Sequence, residues 1–256
     1  MTRVVKIGGR AQADPRLPLA LAAAARASSG SFCVVHGGGD EVSALQRRLG
    51  LEAAFIGGRR VTTADDLDVV RMVLSGTINK RLVSQLLALG VGAVGLSGED
   101  AMLFTARATE PATLGRVGGT VVVNPGVVLH LLSGGFVPVI SPLSRDADDP
   151  AGGGLNVNGD DAAAALAVAL GADELVLVAD VPGVLDGRTM VRSLDMDGAR
   201  TLIAGGIAAG GMAAKLEAAV AALRGGVARV RIAGLDGVQD PSAGTIVMAA
   251  ASSSLV

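Results

Sequence analysis

Lys6 stands among β-branched residues and glycines in the stretch Val4-Val5-Lys6-Ile7-Gly8-Gly9. That composition predicts a short buried strand running into a bend. Lysine is seldom buried without a partner. A rigid strand end holding an ammonium over a glycine turn, where backbone N–H groups can approach an anion, reconciles strand and charge. A strand with a snorkelling lysine and an ordinary turn is the plainer alternative. A second cluster, His36-Gly37-Gly38-Gly39-Asp40, follows the apolar run 32–35 and precedes a helical pattern. Glycines so placed leave their N–H groups and a helix N-terminus free to cradle an anion. The triplet is not the dinucleotide fingerprint, because the sixth position from Gly37 is Val42, and no Gly-x-x-x-x-Gly-Lys-Ser/Thr loop occurs. An enzyme that handles a nucleotide with this chain needs another phosphate device.

These turns have to be positioned by the elements around them, and strands alternate with helices almost throughout. Helical spacing is expected over residues 15–27, ending near Gly30, and again where Val42, Leu45 and Leu49 share a face. Residues 55–60 read as a loop or hairpin, followed by helical periodicity at Leu67, Val70 and Leu74 and at Ile78, Leu82, Leu86 and Leu89. Strands are expected at 91–96, 117–123, 136–140, 174–179 and 228–232, with a last edge strand at 244–247. Pro125 suits a first helical residue with Asn124 as its cap. Residues 144–154 form an acidic, glycine-rich excursion that could mark a lobe boundary. The expected architecture is a three-layer α/β/α sandwich with a mostly parallel, open central sheet. One lobe would span residues 1–154 and the other 155–256, sharing one continuous sheet.

Composition narrows the function. Half of the 256 residues are hydrophobic and 2% are aromatic, with neither Trp nor Tyr, so the core is built from Ala, Val, Leu and Ile. Few aromatics and a formal charge of −2 argue against a nucleic-acid surface. The single cysteine, Cys33, reads as a buried strand residue without chemistry. No apolar run reaches the roughly 18 residues of a membrane helix, and the chain starts directly on a strand, so a soluble cytoplasmic protein is expected.

Seven short stretches then occur in order: Val5-Lys6-Ile7-Gly8-Gly9, His36-Gly37-Gly38-Gly39, Gly58-Arg59-Arg60-Val61-Thr62, Gly76-Thr77-Ile78-Asn79-Lys80, Asn156-Val157-Asn158-Gly159-Asp160, Asp180-Val181-Pro182-Gly183-Val184-Leu185 and Gly211-Met212-Ala213-Ala214-Lys215. Together they resemble the amino acid kinase family over essentially the whole chain, and within it the acylglutamate branch. The resemblance implies transfer of the γ-phosphoryl group of ATP to the side-chain carboxylate of N-acetyl-L-glutamate, in arginine biosynthesis. It assigns Lys6 and Lys215 to transition-state stabilisation and Asp160 to holding both lysines. Gly38, Gly39, Arg60 and Asn156 would bind the acceptor, with Arg60 clamping its α-carboxylate. Gly8, Gly9, Asp180, Val181, Gly183, Val184, Leu185, Gly211 and Met212 would bind ATP, and Mg2+ would arrive on the ATP phosphates with no protein ligand. The acceptor carboxylate is already ionised at neutral pH, so no general base is needed, and the lack of a Ser-His-Asp or Cys-His arrangement fits.

The same resemblance implies that the first lobe binds the acceptor and forms a homodimer, through the helix around Leu67–Leu74 or its neighbour, and that the second lobe binds ATP. Two departures are visible: Gly210 where many relatives have Asp, and Arg59 where relatives have a hydrophobic residue. Only Met1 to Arg3 precede the first strand, too short for the N-terminal helix that links ring-forming relatives, so a form insensitive to arginine is expected. His36 is expected to brace the glycine turn, His130 to be partly buried in a structural role, and Asp148 and Asp149 to sit in a solvated loop. Alternatives are a kinase for N-succinylglutamate or carrier-bound aminoadipate, and a sensor of the same fold without catalysis.

Overall fold

The computed structural model describes every residue except Gly9, Ser29, Gly30, Pro150, Gly152 and residues 250–256. The end of the first helix at Gly30 therefore falls outside the described residues. Among the described residues, eight strands form the central sheet: β1 (Arg3–Ile7), β2 (Phe32–His36), β3 (Ala93–Ser97), β4 (Val137–Ser141), β5 (Glu174–Val178), β6 (Ser193–Asp195), β7 (Arg229–Ala233) and β8 (Thr245–Met248). Their order across the sheet is β6-β8-β7-β5-β1-β2-β4-β3. All strands from β7 to β3 run parallel, whereas β8 is antiparallel to β7. β1 is thus a central strand, hydrogen-bonded on both sides, which suits the anchoring of a charged side chain.

Strand alternation sorts β1 between two helical layers. Val5 and Ile7 face the layer of α1 (Leu17–Ala27), α2 (Gly39–Arg48), α3 (Ala64–Arg71) and α4 (Asn79–Ala88), where Leu21, Leu67 and Leu82 complete the core. Val4 faces the other layer, of α5 (Gly126–Ser133), α6 (Gly159–Ala169), α7 (Met196–Ala204) and α8 (Gly210–Arg224), where Leu166, Leu216 and Ala219 pack. Lys6 has the same parity as Val4, so it enters the interior from the side of α6 and α8. Small alanines on those two helices let them pack close to the sheet. The expected three-layer sandwich is the observed one.

Several local expectations are corrected. Val117 and Gly118 make only isolated bridges, and the regular strand is reduced to Val122–Val123, since Gly118 and Gly119 interrupt it. Val122–Val123 lies at one edge of a four-stranded sheet with Phe104–Ala106, Leu143–Asp146 and Gly154–Asn156, so the excursion expected over 144–154 begins and ends in strand, and its described residues between 147 and 153 are irregular. β8 is second from the sheet edge, because Ser193–Asp195 pairs outside it. Pro125 is the residue before α5 rather than its first, and Asn124 Oδ1 still accepts from the Gly126 N–H at 3.4 Å. Leu49 lies past the end of α2 and is exposed; Gln46 is buried in that helix instead. Leu67, Val70 and Leu74 point into the chain's own core, leaving Met72 outward. Between α3 and α4 the chain winds as a π-helix over Met72–Ile78, where Gly76 and β-branched Thr77 and Ile78 weaken regular winding.

At the sheet end opposite the Lys6 side chain, Glu174 is fully buried against three arginines. Arg3 Nε, Arg229 Nη2 and Arg231 Nε each lie 2.7 Å from its carboxylate. Burial acts to raise the Glu174 pKa, but the arginines outweigh it and hold the group below the usual glutamate range. Arg231 is equally buried and also donates to the carbonyls of Gly237, Asp240 and Ala243, tying the last loop to β7. Removing the carboxylate leaves that guanidinium buried and unpaired. Glu174→Gln is expected to lower unfolding free energy in urea by about 3–5 kcal/mol, and a loss below about 1 kcal/mol would show the network to be inconsequential.

Candidate active site

The site is built where β1, α6 and α8 meet. Asn158 precedes α6, and its Oδ1 accepts from the N–H of Asp160 at 2.7 Å and of Asp161 at 3.4 Å, which caps the helix. That cap sets Asp160 in the first turn, where the helix dipole favours an anion. Asp160 Oδ1 lies 2.9 Å from Lys6 Nζ and Oδ2 lies 3.1 Å from Lys215 Nζ. All three side chains are buried. Gly159 permits the approach: a Cβ there would stand 3.1 Å from Lys6 Cε. One carboxylate therefore bridges two ammonium groups drawn from a strand and from the second turn of α8.

Burial is the largest effect on Lys6 and lowers its pKa; Asp160 opposes the shift and Lys215 adds to it. Burial alone would raise the pKa of Asp160, but the two lysines overcome it and hold the carboxyl below its ordinary value. We take Asp160 as ionised, because both of its oxygens face ammonium groups at ion-pair distance. The trio carries an excess positive charge in a buried setting, which an incoming anion can meet.

Cavities open on two sides of this trio. One, of about 370 Å3, is lined by Lys6, Gly8, Arg10, Asp180, Val181, Gly211, Met212 and Lys215. Gly183, Val184 and Leu185 do not line it. Val184 is fully buried, its N–H donating to Thr245 Oγ1 at 2.8 Å, and Leu185 begins a hairpin with Met190, so these three shape the loop from behind. Gly9 lies outside the described residues. Gly210 has φ +53°, a left-handed value that suits glycine, and α8 begins without a side-chain cap. On the other side, cavities of about 410 Å3 and 90 Å3 share Gly58, Arg59 and Asn158. Asp160 and Gly211 line the first of these, and Arg60 and Asn156 the second. A larger apolar groove of about 790 Å3 runs on past Arg59, Asp161 and Glu217, along Val121–Val123.

Arg60 is held rather than free. Its Nη2 donates to the Gly39 carbonyl at 2.8 Å and to Ser43 Oγ at 2.7 Å, Nη1 donates to Gln46 Oε1, and the guanidinium stacks 4.7 Å from the Phe55 ring centroid. Gln46 is fixed in turn by Asp66, which forms a reciprocal cap with Thr63. Donors remain on Arg60 for a carboxylate, since a guanidinium carries five. Asn156 Nδ2 donates to Thr62 Oγ1 at 3.2 Å beside it. Gly38 has φ +154°, and a Cβ there would lie 2.1 Å from Ile78 Cδ1 and 2.8 Å from Leu74 Cδ2, both on the π-helical segment.

The glycine turn is braced by His36, as expected. The ring is wholly buried, with Nδ1 3.0 Å from the Gly37 carbonyl and Nε2 3.2 Å from Asn79 Nδ2. Asn79 Nδ2 also reaches the Val139 carbonyl at 2.8 Å. A donating amide at Nε2 assigns the proton of the neutral ring to Nδ1. His130, by contrast, is exposed, because the outer side of α5 faces away from the sheet. Asp148 and Asp149 sit at the surface in ion pairs with Arg107 and Arg116. Sequence reading passed over Arg10, Gln12 and the helix-capping role of Asn158. The Asn158-Gly159-Asp160 run carried a helix-start signal that could have found the last; neither Arg10 nor Gln12 belongs to a periodic pattern or motif.

The chain matches the model of the amino acid kinase family over residues 1–234. It is 45% identical over 240 residues to the acetylglutamate kinase of Chloroflexus aurantiacus, covering 93% of each chain. Identity to the acetylglutamate kinase of Saccharopolyspora erythraea is 46% over 244 residues, covering 90% of this chain and 79% of that one. Among solved structures, smu.665 of Streptococcus mutans superposes with a TM-score of 0.86 at 28% identity, covering 97% of this chain and 98% of that one. No helix among the described residues is long and apolar enough to cross a membrane.

Burial pushes His36 down to about 4. Above pH 6.5 the ring is neutral in folded and unfolded chains alike. Between pH 6.5 and about 4 the unfolded chain takes up a proton that the native chain refuses, so stability falls on acidification, by up to about 3 kcal/mol. In urea titrations from pH 7 to pH 4, His36→Gln is expected to lack this component of the slope. Parallel slopes for the two proteins would contradict a neutral buried ring.

Proposed function

This chain belongs to the amino acid kinase family, and we propose that it transfers the γ-phosphoryl group of ATP to the side-chain carboxylate of N-acetyl-L-glutamate, in arginine biosynthesis. The single observation that carries the reading is the pair of buried lysines converging on Asp160 between two cavities. A binder needs no such convergence. Phosphoryl transfer does, because charge spreads over the attacking oxygen, the metaphosphate-like group and the leaving oxygen.

We assign the roles as follows. MgATP enters the cavity at Lys6, Gly8, Asp180, Val181, Gly211 and Met212, with Mg2+ carried on its phosphates. The N–H groups at the start of α8 and near Gly8 face the phosphates. The acceptor lies across the trio, its α-carboxylate on the preset guanidinium of Arg60 and its acylamino group by Asn156 and the turn at Gly38 and Gly39. A side-chain carboxylate oxygen attacks the γ-phosphorus, the bond from that phosphorus to the β,γ-bridging oxygen breaks, and ADP leaves with the electron pair. The products are the acyl phosphate and ADP, and no proton has to move. Lys6 and Lys215 neutralise the group in flight, and Asp160 sets their spacing.

Residues 1–154 then act as the acceptor lobe and residues 155–256 as the nucleotide lobe. The assembly we propose is a cytoplasmic homodimer through the outward face of the helix at residues 64–88, where Met72 is exposed. Arg59, on the rim beside Asp161 and Glu217, is the position from which a different acyl group would be selected.

Turnover of ATP measured side by side with N-acetylglutamate, N-succinylglutamate and glutamate is expected to favour the first; preference for either of the others would overturn the substrate. Lys6→Ala or Lys215→Ala should lower kcat by about two to three orders of magnitude with ATP binding largely retained. Near-normal turnover in either variant would remove the assigned role. Arg60→Ala should act mainly on the acceptor's KM, raising it by about tenfold or more, because a charge-assisted contact made in ground and transition states alike is lost.

A further inference from the structure

Two glycine turns flank the Lys6 side chain, one after β1 and one after β2, and a single side chain ties them together. Gln12 lies in the 3-10 turn Arg10–Ala13 that follows the first, and its Nε2 donates to the Gly37 carbonyl in the second at 2.7 Å. Among the described residues, no other side-chain hydrogen bond joins residues 8–13 to residues 36–39. The same carbonyl faces His36 Nδ1 at 3.0 Å. A carbonyl held by two donors fixes the plane of the Gly37–Gly38 peptide, and in a trans peptide the Gly38 N–H then points the opposite way.

That peptide needs external support. Gly38 has no side chain and sits at φ +154°, a conformation open to glycine, so no side chain of its own fixes the peptide before it. Leu74 and Ile78 fill the space on one side of it and limit its position, but apolar atoms cannot set the direction of an N–H. His36 belongs to β2 itself and moves with the turn that it braces. Gln12 comes from the β1 side. The Gly37 N–H also donates to the Ile7 carbonyl at 3.0 Å, but that bond holds the other face of Gly37. Gln12 is therefore the side chain through which the first turn reaches the Gly37 carbonyl.

We propose that Gln12 is a positioning residue that couples the two substrate sites: phosphates settling on the turn after Lys6 order the segment bearing Gln12, which then fixes the Gly37–Gly38 peptide for the acceptor. The coupling is reciprocal, as any binding linkage is, so bound acceptor tightens nucleotide binding by the same factor. This inference rests on the reading of the two turns as nucleotide and acceptor sides.

The test uses Gln12→Met, which keeps length and bulk and removes the donor. Affinity for N-acetylglutamate is measured by calorimetry on the whole protein, with and without the β,γ-imido analogue of ATP and Mg2+. For the unaltered protein the nucleotide analogue should tighten acceptor binding by about fivefold or more. In Gln12→Met that ratio should fall to within about twofold of one, as the loss of one hydrogen bond allows. Acceptor KM should rise roughly fivefold while kcat stays within about twofold, a split that general loosening of the fold would not produce. Gln12→Glu supplies a second variant: ionised near neutral pH, its carboxylate repels the Gly37 carbonyl, so the ratio should fall toward one there as well. Coupling that is absent from the unaltered protein, or undiminished in Gln12→Met, overturns the inference while leaving the reaction standing. An unaltered protein that binds no N-acetylglutamate overturns the functional reading, and the inference with it.

Discussion

Asp160 is one anion between two buried cations, and that imbalance governs the molecule. Removing an ion from water costs several kcal/mol even after the surroundings relax. A single ion pair could offset its own cost. Two lysines on one carboxylate cannot be fully offset, and the downward pull on Lys6 from burial and from Lys215 is the visible sign. The remaining cost is offset by the apolar burial in the two cores on either side of the sheet. In the reaction proposed above, a phosphoryl group in transit would meet the excess positive charge, which turns the electrostatic cost into attraction.

The rest of the structure follows from delivering three charges to one point. A central strand hydrogen-bonded on both edges gives Lys6 a backbone that cannot drift. Parity along that strand sends Lys6 toward α6 and α8 while Val5 and Ile7 seal the opposite layer. Asn158 caps α6 so that its first turn presents Asp160, and the second turn of α8 supplies Lys215. Arg60 is preset by Gln46, Ser43 and the Gly39 carbonyl, so in the acceptor role proposed for it the guanidinium is spared the ordering that a free surface arginine would undergo.

Much of this was legible in the residues alone. Alternating apolar runs and glycine turns specify a parallel sheet between helical layers. The seven ordered stretches identify Lys6, Asp160 and Lys215, and the structure brings those three together although they are up to 209 positions apart. What was hidden depends on tertiary pairing. Nothing local marks Ser193–Asp195 as the strand outside β8, or shows that residues 117–123 split at Gly118 and Gly119. The inward direction of Leu67, Val70 and Leu74 is set by the sheet they meet, since periodicity reveals a stripe and not its partner. Gln12 and the fixation of Arg60 by Gln46 were invisible for the same reason: a polar side chain acquires its meaning from what the fold places opposite it.

The central claim is that Asp160 acts through the two lysines and not on the substrates. Steady-state kinetics of Asp160→Asn against the unaltered protein, with ATP and N-acetylglutamate, test it most directly. The account expects kcat to fall by about two orders of magnitude or more, with both KM values within a few-fold of their starting points, because an amide cannot balance two ammonium groups. Turnover within a few-fold of the unaltered protein would contradict it.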